Sequence, residues 1–89
     1  MPFMAGYLKA IIDERGGNVR AEQIPESVVI IIVQEAYRRA AEKESDKRAR
    51  LGMFYRELEM AADNIIKAFQ GKPQSDSRIR DILVFNRLI

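Results

Sequence analysis

The chain contains neither cysteine nor histidine. Without cysteine there is no disulfide scaffold, no thiol redox chemistry and no thiolate nucleophile. Without histidine, the side chain most used for general acid–base catalysis, metal ligation and pH sensing near neutrality is missing. The serine and cysteine catalytic triads cannot be assembled, and the di-iron bundle motif, which needs a histidine three residues after a glutamate, is ruled out. Ser27, Ser45, Ser75 and Ser77 fall at helix ends or in polar loops, where capping accounts for them. An enzyme is not expected, and no cofactor is implied.

Long apolar runs are missing too. The longest, Val28 to Val33, is six residues, against about 20 needed to span a bilayer. The opening stretch Met1-Pro2-Phe3-Met4-Ala5-Gly6 shows no basic leader and no apolar run of signal-peptide length. The expectation is a soluble, cytoplasmic protein with no transmembrane segment. Charge of one sign is also lacking. Fifteen basic and 13 acidic side chains leave a formal +2, too near balance to imply nucleic acid by itself.

What is present is an apolar fraction of 47% and a charged fraction of 31% in 89 residues. That is too hydrophobic for disorder and sufficient for one domain. A domain this small buries only about two-thirds of its unfolded surface, so oligomerisation is a common aid to its stability. Ten of the 15 basic residues are arginine, suited to bidentate recognition of carboxylate or phosphate and equally to ordinary salt bridges.

The pattern is helical throughout. Met4, Leu8, Ile11 and Ile12 share one face of a short N-terminal helix from about Phe3 to Arg15, which Gly16-Gly17 stops. A connector follows, pinned to the core by Val19 and Ile24. From Pro25 to Gln70 there is no further proline and a single glycine, Gly52. Proline suits the first turn of a helix and Glu26 complements its dipole. The β-branched run Val28–Val33 favours strand by propensity. The proline start and the continued spacing through Val33, Ala36, Tyr37 and Ala40 favour helix. Its apolar circumference predicts burial on all sides. From Leu51 to Gln70 a clear stripe recurs at Leu51, Phe54, Leu58, Ala61, Ile65 and Ala68, with Arg56, Glu57, Glu59, Asp63 and Lys67 mostly opposite.

The two stripes meet imperfectly across the charged middle, Lys43 to Arg50. Three geometries fit: one helix of about 45 residues and about 67 Å, a hairpin broken at Ser45-Asp46, or a break at Gly52. The helix dipole argues against a start at Ser45 or Asp46, because Lys47, Arg48 and Arg50 would then crowd the positive end. Gly71-Lys72-Pro73 ends the stretch, and Ser75 or Ser77 can cap a terminal helix over 78–89. In that segment Ile79, Ile82, Leu83, Asn86 and Leu88 are loosely periodic, and Ile82–Phe85 is alternatively a short strand. The expected fold is all-α: a short N-terminal helix, a long central helix or helical hairpin over about 26–70, and a short C-terminal helix. These form a small, dimeric helical bundle, residues 1–89 being a single domain.

Candidate sites are few. Glu59 and Asp63, one helical turn apart with Glu57 near, could hold a divalent cation, but pairing with Arg56 and Lys67 on a solvated face explains them. Arg38, Arg39, Lys43, Lys47, Arg48 and Arg50 form the basic surface candidate for a partner or for nucleic acid. With Arg56 they exceed Glu42, Glu44 and Asp46 by four charges. Arg78, Arg80 and Arg87 flank apolar residues of a terminal helix that either lies on a partner or membrane, or closes over the Val28–Val33 core. Met53, Phe54, Tyr55 and Met60 span too wide an arc for one neighbour, which suits core plus a homodimer contact. The seam expected for core and dimer packing is Val29, Val33, Leu51, Phe54, Leu58 and Ile65. These features point to a non-enzymatic interaction or regulatory protein acting as a homodimer. The alternative is a nucleic-acid-binding regulator using the basic 38–56 segment.

Overall fold

A computed structural model of the chain describes the backbone of residues 2–70 and 78–89 and the side chains of residues 4–70 and 78–89. The architecture is all-helical, with no strand among the described residues. Four helices follow in order: α1 Pro2–Arg15, α2 Glu26–Lys43, α3 Lys47–Phe69 and α4 Ile79–Phe85. A single 3-10 turn, Ala21–Gln23, lies in the connector before α2. The Gly71–Ser77 turn and the capping roles of Ser75 and Ser77 lie outside the described residues.

Helix α1 ends where the glycine pair stands. Gly17 adopts φ +62°, a conformation that costs a side chain with Cβ about 1–2 kcal/mol. Gly16 is required for space, since a Cβ there would meet the Ile12 carbonyl oxygen at 2.5 Å and that of Val19 at 2.7 Å. The connector is anchored by buried Val19, Ala21 and Ile24, and Asp13 on α1 accepts a hydrogen bond from the Ala21 amide at 2.8 Å.

The charged middle is a hairpin turn, so neither the single 45-residue helix nor the break at Gly52 is found. Glu44 adopts an extended conformation after α2. Asp46 caps α3, its carboxylate accepting from the Ala49 amide at 3.0 Å. The dipole argument against a start here is overruled by that cap, a feature worth about 1 kcal/mol. Arg50 reinforces the turn by donating to the Glu44 and Ser45 carbonyls at 3.2 and 3.1 Å. Gly52 lies inside α3 with open space around it.

Helix α3 is the central element and touches each of the other three. Its buried stripe of Phe54, Leu58, Ala61, Ala62, Ile65, Ala68 and Phe69 packs with Leu8 and Ile12 of α1, Val29, Ile32, Val33, Ala36 and Ala40 of α2, and Ile82 of α4 in one core. Truncating a fully buried member such as Leu58 to alanine costs about 2–5 kcal/mol. Two expectations are corrected here. Val28–Val33 is not buried all round, since Ile30 and Ile31 are 44% and 45% exposed. Helix α4 packs chiefly on α3 and not as a lid over that run, because α1 and α3 already cover its inner face.

Helix α4 ends in a double cap. The Leu88 amide donates to the Leu83 carbonyl at 2.8 Å and the Arg87 amide to that of Val84 at 2.9 Å, the Schellman pattern. Arg87 takes the left-handed position at φ 59°, where glycine is the usual occupant.

Candidate interaction surface at the hairpin tip

The six basic candidates separate into distinct roles. Arg38 is exposed on α2 and bound to its own helix, pairing with Glu35 and Glu42 one turn either side. Its hydrogen bonds to Glu35 hold that carboxyl below the usual carboxylate range and raise the guanidinium's own affinity for its proton. Arg39 is largely covered. It pairs with Glu35 at 3.3 Å and donates to the Asn86 and Arg87 carbonyls at 2.8 and 3.3 Å. A cation at the carboxyl end of α4 satisfies its orphan carbonyls and its dipole, so Arg39 ties α2 to α4. Lys43 reaches across the hairpin to Glu57 at 2.9 Å.

Glu57 corrects the sequence reading. Expected on the polar face, it is 5% exposed, because α2 covers that side of α3 and Lys43 compensates the charge. The signal lay in the charge pattern alone, a glutamate beside Leu58 and a lysine at the end of the preceding helix. Arg78 is likewise buried and not on a charged flank.

The remaining candidates stand at the tip. Lys47 and Arg48 are exposed and make no ion pair among the described residues. Arg50 spends its hydrogen bonds on backbone carbonyls and none on a carboxylate. Glu44 and Arg48 form no pair, because the chain leaves the helix between them. The first turn of α3 therefore carries cations and no acid. Beside it opens a cavity of about 290 Å³ lined by Tyr37, Lys47, Arg50, Leu51 and Phe54. Leu51 is 54% exposed at its mouth, and Tyr37 meets Phe54 edge-on with ring centroids 5.5 Å apart.

Of the seam residues, Val29, Val33, Phe54, Leu58 and Ile65 are buried within the one chain, and Leu51 stands outside. The wide aromatic arc has two neighbours within the chain: Tyr37 of α2 against Phe54, and Tyr7 of α1 against Tyr55 at 5.0 Å. Met60 stays exposed. The Glu59–Asp63 pair is bridged by Arg15 of α1 at 3.4 and 3.6 Å, not by Arg56 or Lys67. Among the described residues no three acids converge as metal ligands would. No described helix is long and apolar enough to cross a membrane.

A second, much smaller cleft of about 20 Å³ lies between Ile32, Glu35, Ala36 and Arg39 of α2, Met60 of α3 and Asn86–Leu88. It has room for a single water molecule. Comparison with protein-family models, with curated proteins and with solved structures finds no match.

Proposed function

We propose that the chain is a small, non-enzymatic interaction protein that acts as a homodimer and captures another protein on its surface. The observation that carries this reading is the pair Ile30 and Ile31, adjacent and nearly half exposed on α2. The two point about 100° apart around the helix, so they widen the apolar part of the outward side of α2 where a partner could pack. Ile31, Glu35 and Arg39 occupy successive turns of α2, and Arg39 holds the carboxyl end of α4. Of the exposed apolar residues, Met60 lines the small cleft at Glu35 and Arg39, and Ile31 lies one turn before Glu35 on α2. The paired ions at the centre of such a face are already satisfied within each chain, so two copies can meet there without stranding a charge.

The seam read in the sequence for core and dimer packing serves the core, and the dimer contact proposed here lies elsewhere. Val29, Val33, Phe54, Leu58 and Ile65 are consumed by the core of a single chain, which leaves the outer face of α2 and the end of α4 for a second copy. A nucleic-acid role for the 38–56 segment draws less support. Binding that depends on phosphate neutralisation needs several free cations, and Arg38, Arg39 and Lys43 are each engaged by carboxylates.

Ile31→Glu tests the reading. The residue is exposed, so the fold tolerates the change, and sedimentation equilibrium is expected to shift the protein from dimer to monomer with its helical circular dichroism retained. A variant that sediments like the unsubstituted protein removes this face from the interface.

A further inference from the structure

We propose that the hairpin tip is the docking site for an acidic segment of another protein. One bulky apolar side chain of that segment seats in the cavity formed by Tyr37, Leu51 and Phe54, and its carboxylates meet Lys47, Arg48 and Arg50. The inference deepens the interaction-protein reading and rests on it. It is independent of the α2 face assigned to self-association.

Shape selects the kind of occupant. Sites that enclose small molecules run from about 300 to 1,000 Å³ and bury most of the ligand. The tip cavity, about 290 Å³, is at the bottom of that range, and its walls are themselves half exposed at Tyr37 and Leu51. It receives the end of one side chain and leaves the rest of the occupant outside, as an anchor pocket does for a partner protein. Aromatic and aliphatic walls choose an apolar anchor.

Charge selects the sign. Several exposed cations are matched by carboxylates: Lys9 by Glu26, Arg15 by Glu59 and Asp63, Arg38 by Glu35 and Glu42. At the tip they are not. The Asp46 carboxylate accepts from the Ala49 amide and makes no ion pair with the tip cations. Lys47, Arg48 and Arg50 add their charge to the positive end of the α3 dipole, an unfavourable arrangement in the free protein. An anionic partner reverses the sign of that contribution and gains steering toward the pocket. Phosphate-rich polymers would be served by a broad field of free cations. Arg56, Lys67, Arg80 and Arg87 are also exposed without an ion pair among the described residues, but Lys47 and Arg48 stand in one helical turn beside an apolar hole.

The test uses a fluorescein-labelled peptide with one leucine flanked on both sides by glutamates. Controls are the same peptide with alanine for leucine, the same with lysines for glutamates, and a labelled oligothymidylate. Fluorescence anisotropy is expected to show binding of the leucine–glutamate peptide alone. Affinity should fall about tenfold or more, some 1.4 kcal/mol, in Lys47→Glu/Arg48→Glu and comparably in Leu51→Asn. All three positions are exposed, and circular dichroism checks that the variants keep their helices. Equal binding of the alanine peptide, preferential binding of the oligonucleotide, or no binding at the highest soluble peptide concentration would each overturn the proposal. Light scattering on the same samples separates the two readings. A dimer that ignores the peptide refutes the docking site alone, and a monomer that binds it refutes the self-association alone.

Discussion

Lys43 and Glu57 form an asymmetric pair, and the asymmetry fixes what substitution does. The Glu57 side chain is 4% exposed and the Lys43 side chain 48%. Removing the lysine strands a buried carboxylate, whereas replacing the glutamate by an apolar residue of similar volume strands nothing. Lys43→Ala is expected to lower stability by about 1–3 kcal/mol in urea unfolding, and Glu57→Leu to be neutral or stabilising. Greater damage from Glu57→Leu would contradict this assignment. Glu35 supplies a pH signature. Hydrogen bonding to Arg38 lowers its pKa in the fold, so its contribution is fully present above the unfolded carboxylate pKa and is lost as pH falls through the folded one. The stability difference between the unsubstituted protein and Glu35→Gln should be level near neutrality and vanish in acid. The effect should be small, because Arg38 is exposed and water screens the pair. A difference that grows on acidification would contradict it.

At the scale of the element, the decisive feature is where the long helical stretch breaks. Gly52 is the lone glycine between Pro25 and Gln70, yet it sits within α3 with nothing near its missing Cβ. Gly52→Ala should therefore stabilise the protein by about 0.5–1 kcal/mol, read as a rise in thermal midpoint. Destabilisation would place a turn there after all. The helices themselves were legible from spacing: Met4, Leu8, Ile11 and Ile12 gave α1 its buried face, and Leu58, Ala61 and Ile65 that of α3. The break was not, because the electrostatic cost of three cations in a first turn is readable from sequence, whereas the cap by Asp46 and the grip of Arg50 on two carbonyls depend on the folded turn. The tip site was half legible for the same reason. Its cations stood out by charge. Its cavity arises only when Tyr37 of α2 is brought opposite Leu51 and Phe54 of α3.

The whole molecule has a radius of gyration of 12.8 Å and extents of 43 × 25 × 20 Å, close to the roughly 12 Å expected of a compact chain this long. The apolar stripes of α1, α2 and α3 find each other within one copy, so a second copy is not needed to complete the core. The proposed self-association would join folded chains through the exposed side of α2 at Ile31, and dilution should separate them without loss of helix. The most direct test of this account is the solution mass by light scattering across a dilution series at low and high salt. The account predicts twice the chain mass of 10.2 kDa at the concentrated end, equally at both salts since an apolar contact is little screened, falling toward one chain mass on dilution. A mass of one chain at every concentration would contradict it.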